Sequence, residues 1–289
     1  MTDPKPAPAV LQIVLGRRLA ALRSAAGMTA ADAGRAIRTA ATTITRMEKA
    51  EVGLNPAKVK WLLEIYGVGP SGIQEFLDLL DKASDPGWWQ GFRDALPSWF
   101  GVHVSLETAA AHIHSYEPAV VHGLLQTEDY ARGVLSRGLP RMDPDTLERR
   151  VHLRVKRQEL LTRSDPAPPR LWVVMDETNL RRPVGGPEVM TAQLDHLLTM
   201  AELPNVSIRI CPFERGLHSG GFGPFTVFRF EIPELPDIVS GDTLSRAVYS
   251  EEKSEVALFR EALDQMSATA LSGDDTRQFI CDIRKELYP

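Results

Sequence analysis

The stretch that decides the fold of the N-terminal region is TAATTITRMEKA, residues 39–50. Four of these twelve residues are threonine, which forms helices poorly because its branched Cβ restricts χ1 and its hydroxyl competes for backbone hydrogen bonds. Ile44 and Met47 are three residues apart, so on a helix from about Ala40 to Lys49 both would face the protein interior. The threonine-rich, basic side of that helix therefore has a purpose other than helix stability.

The neighbouring segments also carry helical patterns. Leucines recur at helical spacing over residues 11–22, and Gly27 ends that segment. Thr29 can cap a second helix, residues 38 and 39 form a short break before the third, and Asn55-Pro56 is a strong start signal for a fourth. Two short helices joined tightly inside a bundle of four or five form a helix-turn-helix. The sequence therefore predicts an N-terminal bundle of this type.

The polar side of the third predicted helix suits DNA. Small side chains let a helix enter the major groove, hydroxyls bond phosphates or base edges, and Arg46 can reach a guanine or a phosphate. The alternative is a plain structural bundle whose polar face is solvated. On the first interpretation, the predicted DNA contacts come from Thr29, Arg38, Thr39, Ala41, Thr42, Thr43, Thr45, Arg46 and Lys49.

Charge is unevenly distributed along the chain. The formal net charge is −5, which argues against a protein covered in basic patches. Residues 10–50 contain seven basic and two acidic residues and so carry +5, which leaves −10 for the remainder. A basic module on an acidic body favours a local contact with a polyanion such as double-stranded DNA.

Length and composition favour two domains in a cytoplasmic protein. The chain has 289 residues, more than one typical domain, and we expect domains at residues 1–83 and 84–289. No apolar run approaches the roughly 20 residues that a membrane span needs, and the N-terminus lacks the layout of a signal peptide. Cys211 and Cys281 are too few for a disulfide framework or a cysteine-rich metal site, so we expect two buried, reduced thiols.

The larger C-terminal part has the pattern of a mixed α/β domain. Short apolar or alternating runs predict strands at residues 171–177, 205–212 and 225–231, and DIVSGDT (residues 237–243) predicts an edge strand. The predicted fold class is therefore multidomain, α plus α/β: an N-terminal all-α helix-turn-helix bundle followed by a larger mixed α/β domain. Helices of the second domain are predicted after Thr127 and at residues 144–162, 189–201, 251–266 and 274–287.

Two segments allow more than one interpretation. The first is the aromatic segment at residues 88–100, whose side chains could line a ligand pocket or form a dimer face. We favour a third interpretation, that they pack in the core. The predicted helix at residues 144–162 carries five basic residues and would form a second nucleic-acid surface or, as we favour, a solvated or partner-facing helix. The aromatic residues are Trp88, Trp89, Phe92, Trp99 and Phe100, and the basic ones are Arg149, Arg150, Arg154, Lys156 and Arg157.

The sequence contains no convincing catalytic motif. His112 and His114 would share one face of a strand, but a metal needs a further ligand, and neither H-E-x-x-H nor C-x-x-C occurs. The glycines after His218 more simply shape a turn between strands, and neither G-x-S-x-G nor G-x-x-x-x-G-K is present. We therefore expect no catalytic residues, no metal site, no cofactor and no enzyme activity.

The N-terminal motif resembles a known family. GRRLAALRSAAGMTAADAGRAI (residues 16–37) and TTITRMEKA (residues 42–50) look like the Xre-type, or Cro and lambda repressor-like, helix-turn-helix. Residues 42–48 fall on the motif of its recognition helix. Three alanines depart from the pattern: Ala30 stands where the family often has a DNA-contacting glutamine, Ala40 where it often has a serine, and Ala50 where a closing glycine is usual.

The C-terminal part resembles a second family. YEPAVVHGLLQTEDYA (residues 116–131) and PNVSIRICPFERGLHSGGFGPFTVFRF (residues 204–230) are similar to the actinobacterial regulators with a C-terminal domain of unknown function 5753. This resemblance covers about residue 88 to the end. It implies an Xre-type DNA-binding module joined to that domain in an antitoxin-like transcriptional regulator, often paired with a small neighbouring protein of unknown-function family 397.

These observations predict a sequence-specific, DNA-binding transcriptional regulator whose large domain senses a small protein partner or a ligand. A single helix-turn-helix presents little base-reading surface, so specificity requires a homodimer on two half-sites. The alternative is an antitoxin-like protein–protein interaction module whose helix-turn-helix is vestigial for DNA binding. The basic charge of residues 10–50 favours the regulator.

Overall fold

The chain forms two compact units, and the main division between them falls between Gly91 and Phe92. The first unit is helical, and the second combines a six-stranded sheet with helices. The predicted fold class, an all-α bundle followed by a mixed α/β domain, is confirmed. No helix among the described residues is long and apolar enough to cross a membrane. The structure, a computed structural model, describes residues 10–84, 88–96, 100–138, 142–231, 235–242 and 247–288.

The first unit is a bundle of five helices around one apolar core. Local signals set its helix limits: the Asn55 side chain accepts a hydrogen bond from the Lys58 amide at 3.1 Å, and Pro56 is the first residue of the fourth helix, as predicted. The helices are α1 (Val10–Ala25), α2 (Ala30–Ala36), α3 (Ala41–Glu48), α4 (Pro56–Ile65) and α5 (Pro70–Ser84). Fully buried core residues include Leu15, Leu19, Ile44, Leu62 and Leu63.

The first four helices end in the same backbone motif. In each, an amide beyond the helix donates to a carbonyl five residues earlier, at 2.8–3.1 Å, across one residue in the left-handed conformation. That residue is Gly27 after α1 and Gly67 after α4, but Arg38 (φ 55°) after α2 and Ala50 (φ 54°) after α3. A non-glycine residue in this conformation costs about 1–2 kcal/mol. Backbone strain therefore lies on both sides of α3.

The second unit is built on one six-stranded sheet with the strand order β3-β2-β1-β4-β5-β6. Strands β1, β2 and β3 are parallel, whereas β4, β5 and β6 pair antiparallel to their neighbours. The strands are β1 (His112–Glu117), β2 (Arg170–Asp176), β3 (Val206–Cys211), β4 (Phe225–Arg229), β5 (Ile238–Asp242) and β6 (Ala247–Ser250).

Helices connect and cover these strands. Two of them lie between β1 and β2, two between β2 and β3, and two follow β6. The helices are α6 (Phe100–Ala109), α7 (Glu128–Gly138), α8 (Pro144–Arg157), α9 (Thr178–Arg181), α10 (Pro187–Met200), α11 (Lys253–Thr269) and α12 (Asp274–Leu287).

At the carboxyl end of β1, the connection that leaves β1 and the connection that enters β4 run to opposite sides of β1. From β1 the chain goes to β2 and then to β3 on one side, and from β3 it passes to β4 on the other side of β1. In open α/β sheets, such a point at the carboxyl ends of strands leaves a crevice in which ligands bind. The glycines predicted to form a turn lie in the connection from β3 to β4. Gly220 is buried there, and a Cβ on it would lie 2.4 Å from the Tyr116 ring.

Several predicted elements of the second unit need correction. Ile238–Asp242 of DIVSGDT form β5, but β5 lies between β4 and β6 and is not an edge strand. The edge strand β6 has only four residues, which is too short to show a period. Strand β1 was not predicted because histidines and a serine interrupt its apolar pattern, and α6 was not predicted either. The helix predicted at residues 144–162 is α-helical only to Arg157.

The aromatic segment is less buried than we predicted. Trp88 is 37% exposed, and the side chains of Trp89, Phe92 and Phe100 are only partly buried. Phe92 stacks on His152, with ring centroids 5.5 Å apart. The prediction of core packing is therefore wrong for Trp88 and only partly right for the other three. Trp99 lies outside the described residues.

The basic residues of α8 mostly serve internal contacts. Arg157 is 4% exposed, and its guanidinium donates to both carboxylate oxygens of Glu107, at 2.7 and 2.8 Å. Arg150 donates to the Ala95 carbonyl at 2.5 Å, and Arg149 pairs with Asp94. The prediction that this helix is solvated or faces a partner is therefore wrong for Arg157 and incomplete for its neighbours.

Candidate nucleic-acid interface

Thr29 starts the first helix of the helix-turn-helix with a reciprocal cap. Its hydroxyl accepts a hydrogen bond from the Asp32 amide at 3.1 Å, and the Asp32 carboxylate accepts from the Thr29 amide and hydroxyl, at 3.0 and 2.6 Å. The Thr29 hydroxyl bond, followed by its amide bond, holds the pKa of the Asp32 carboxyl below its usual value. This capping box fixes where α2 begins.

A tight turn joins α2 to α3. The Thr39 amide donates to the Gly34 carbonyl at 2.8 Å, and a Cβ on Gly34 would lie 2.7 Å from the Thr39 carbonyl oxygen. Because of this close approach, a side chain at residue 34 would force the turn to shift. Arg38 lies in the same turn with an exposed side chain. Ala40 precedes α3 and offers no side-chain cap, in contrast to the serine usual at this position in the resembled motif.

Two apolar residues fix the rotation of α3 about its axis. Ile44 is fully buried and Met47 is 3% exposed, both in the core of the bundle. The opposite side of the helix is polar and exposed through Thr42 and Arg46, and Lys49 is exposed directly after its end. The half-buried residues at the edges of that side are Ala41, Thr43 and Thr45.

An ion pair joins α1 to the end of α3. The Arg23 guanidinium donates to both carboxylate oxygens of Glu48, at 2.6 and 3.1 Å, and also to the Met28 carbonyl at 2.7 Å. The side chains of Arg23 and Glu48 are only 17% and 9% exposed. The hydrogen bond to Glu48 raises the pKa of Arg23, against the opposing effect of burial. The sequence shows both charges but not that they neutralise each other across 25 residues.

The basic charge of this unit is therefore smaller at its surface than the count suggests. Arg23 is paired with Glu48, and Arg35 is paired with Asp32. Arg18 lies 3.5 Å from a Glu75 carboxylate oxygen. The exposed positive charge near α3 comes from Arg38, Arg46 and Lys49.

The predicted contact residues lie in one part of the unit, but some have internal partners. Thr29 is at the start of α2, and the other eight are in the turn, in α3 or directly after it. The Thr29 hydroxyl is engaged by Asp32, and the Thr45 hydroxyl donates to the Ala41 carbonyl at 3.3 Å. The Arg46 guanidinium lies 3.7 Å from Glu51. The assignment of these residues to DNA stays a prediction.

Metal-binding and thiol chemistry find little support elsewhere. Among the described residues, no group of three His, Cys, Asp or Glu side chains is placed to hold a metal ion. His112 and His114 do lie on one strand with their rings 6.1 Å apart. Cys211 is buried and Cys281 half-buried, and both are free thiols. Burial, with a smaller effect of Asp176, raises the pKa of the Cys211 thiol to about 11, so it is unreactive at neutral pH.

Comparison with known families gives two matches. A domain of unknown function, DUF5753, matches residues 100–282, and a helix-turn-helix domain matches residues 14–76. The second match begins within α1, contains α2, α3 and α4, and ends within α5. No curated protein and no solved structure matches the chain.

The capping box predicts how Thr29 variants behave. Thr29→Ala should lower the free energy of unfolding of the first unit by about 1 kcal/mol, whereas Thr29→Ser keeps the hydroxyl and should change it little. In wild type the pKa of the Asp32 carboxyl is lower in the folded state than in the unfolded state. The stability that its ionised form contributes is therefore fully present above the unfolded pKa of about 3.9, and it is lost as pH falls through the folded pKa.

Two measurements check this. Chemical denaturation of the three proteins gives the order of stabilities, and an NMR titration of the Asp32 carboxyl should show its pKa returning toward the ordinary value in Thr29→Ala only. An unchanged Asp32 titration in Thr29→Ala would contradict the capping role.

Proposed function

This chain belongs to the family defined by the domain of unknown function DUF5753, and we propose that it regulates transcription by reading a specific DNA sequence through α3. The observation that carries the proposal is the separation of the two sides of this helix. Ile44 and Met47 are held in the core, while Thr42 and Arg46 are exposed on the opposite side. The helix-turn-helix match supports the same function.

The proposed contact uses few, well-placed groups. Helix α3 has eight residues and is therefore about 12 Å long, which suits one crossing of the major groove. The Arg46 guanidinium has the geometry to donate two hydrogen bonds to a guanine. Arg38 and Lys49, at the two ends of α3, suit phosphate contacts that set the position of the helix.

The proposal extends to assembly and signal. A recognition helix of this size reads only a few base pairs, so specificity comes from a homodimer on an inverted repeat. The C-terminal unit supplies the dimer contact and senses a small protein, for which unknown-function family 397 is the candidate by resemblance, or a ligand. The protein acts in the cytoplasm, without a catalytic step, a cofactor or a metal.

Arg46→Ala tests the role of α3. Loss of a base-reading arginine should weaken binding to the preferred DNA by about 1–3 kcal/mol and relax the preference at one position of the site. Duplexes selected from a random pool by the full-length protein provide the DNA, and mobility shifts measure the affinity. Lys60→Ala is the control, because it removes a positive charge from the exposed side of α4 instead.

Equal affinities of wild type and Arg46→Ala, in proteins with the same unfolding transition, would remove Arg46 from the interface. Failure of the full-length protein to enrich any duplex would favour the protein–protein interaction module instead.

Assembly has its own test. Light scattering of the free protein should give the mass of a dimer, and footprinting should show two protected half-sites about one helical turn apart. If a small protein of unknown-function family 397 is encoded beside this chain, as the resemblance implies, adding it should change the protection. A monomer that protects one half-site and ignores that protein would refute this part of the proposal.

A further inference from the structure

The second unit contains a polar cavity at the carboxyl end of β1. Its volume is about 220 Å³, smaller than most ligand pockets. It lies between the segment that follows β1, residues 117–126, and the start of β4. The side chains of α6 and α8 complete its walls. This is the place at which open α/β sheets bind small molecules.

Two arginines of α8 form a cationic side of this cavity. Arg157 uses Nε and Nη2 on Glu107, and among the described residues no hydrogen bond involves its Nη1. Arg154 donates from Nη1 to the Gln126 side chain at 3.0 Å, and that side chain donates to the Val121 carbonyl at 2.6 Å. These contacts hold both guanidinium groups in place at the cavity wall. Ordered donors of this kind suit a carboxylate or a phosphate.

The buried carboxylate behind Arg157 stays charged. Burial by itself would raise the pKa of Glu107, but the Arg157 charge and hydrogen bonds, with a smaller effect of His103, hold it below the usual range. Glu107 therefore neutralises one of the two guanidinium groups.

His122 adds a neutral donor. Its Nδ1 accepts a hydrogen bond from the Leu124 amide at 3.2 Å, so the ring carries its proton on Nε2. Burial lowers the pKa of His122 to about 3, and the ring is therefore uncharged at neutral pH. Because His122 lines the cavity, its Nε2–H is available to a bound acceptor.

His103 is a second buried histidine of the wall. Its ring stacks on Phe100, with centroids 5.6 Å apart, and meets the edge of Phe228 at 5.5 Å. Its Nδ1 is buried and, within the described part of the chain, has no hydrogen-bond partner. Unpartnered buried polar atoms are uncommon, and this one leaves a polar group of the His103 ring unused in the wall.

The cavity is also lined by a carboxylate and by hydroxyl groups. The Ser115 hydroxyl lies 3.1 Å from a Glu117 carboxylate oxygen and 3.0 Å from the Thr226 hydroxyl. Glu117 and Thr226 line the cavity, as does Ser240 of β5. A second anionic group of a ligand would be repelled here, whereas an ammonium or hydroxyl group would be bound.

Gly123 keeps the space in front of the arginines open. A Cβ on Gly123 would lie 3.4 Å from Arg154 Cδ and Nη1 and 3.5 Å from Arg157 Nη2. One added methyl is an ordinary contact, but a longer side chain would project toward the guanidinium groups. This position therefore allows the cavity to be filled by a single substitution.

We propose that this cavity binds a small carboxylic acid that carries an amino or hydroxyl group, such as an amino acid or a hydroxy acid. Its carboxylate is held by Arg154, Arg157 and His122, and its amino or hydroxyl group by Glu117 and Thr226. Because the Glu117 carboxylate lines the same cavity, a singly charged carboxylate fits better than a doubly charged phosphate. Binding does not require that the chain bind DNA; only a regulatory effect of the ligand rests on the proposed function.

Ligand-induced stabilisation of the full-length protein tests the site. The probes are the twenty L-amino acids and L-lactate, with inorganic phosphate as a separate arm, each followed by thermal unfolding over a concentration series. At least one amino or hydroxy acid should raise Tm in a saturable way, because a ligand that binds only the folded state stabilises it by mass action.

Three variants assign that binding to the cavity. Gly123→Leu fills the space and Arg154→Gln removes one of the two guanidinium groups, and each should weaken binding at least tenfold. Arg149→Gln removes a charge from the same helix at the Asp94 contact and should leave binding unchanged. If Gly123→Leu fails to fold, Arg154→Gln alone decides.

The proposal is overturned if no amino or hydroxy acid raises Tm, if phosphate alone does so, or if Arg154→Gln binds as wild type does. Mobility shifts on the same preparations report DNA binding independently, so failure of the cavity and failure of the DNA-binding function are distinguishable.

Discussion

The ion pair between Arg23 and Glu48 is the contact on which the helix-turn-helix depends. One guanidinium joins the end of α1, the residue before the α2 cap and the last residue of α3. Both side chains are largely buried, so the loss of one would leave the other charge without a partner at high cost. With Ile44 and Met47 it fixes both the position and the rotation of α3, and thereby the side that is exposed.

A second arginine–glutamate pair organises the other unit. Arg157 and Glu107 are more deeply buried than Arg23 and Glu48. They join the last turns of α6 and α8, and Arg157 also lines the cavity. In both units the pair is bidentate, which fixes direction as well as distance. Composition alone would assign both arginines to the surface. Instead, Arg23 positions the helix that would contact DNA, and Arg157 lines the cavity that we infer to bind a small acid.

The sequence predicts the first unit well because its signals are local. The Thr29 and Asn55 caps, Gly27, Gly67 and the spacing of Ile44 and Met47 act within a few residues. The Arg23–Glu48 pair was not predicted, since it joins residues 25 positions apart. Ala50 stands where the motif usually has glycine, and from the sequence this is only a departure from the pattern. The structure gives the physical cost, because Ala50 adopts the left-handed conformation with φ 54°.

The cavity of the second unit was beyond prediction from sequence. Its polar groups come from α6, β1, the segment after β1, α8, β4 and β5, which only the strand order brings together. The pattern of α8 is that of a solvated basic helix, because helical periodicity does not show which basic residues meet a buried carboxylate. Strand β1 was not predicted either, because Ser115, which is buried, and two histidines give its sequence the polar pattern of a loop.

Salt dependence tests the DNA-binding role of α3 most directly. The affinity of the full-length protein for its selected duplex is measured across a series of salt concentrations. If the exposed Arg38 and Lys49 neutralise phosphates, the logarithm of the affinity falls linearly with the logarithm of salt, by about 0.9 for each phosphate. Lys49→Ala should then reduce the slope by about one. An affinity that does not change with salt would contradict the role assigned to this helix.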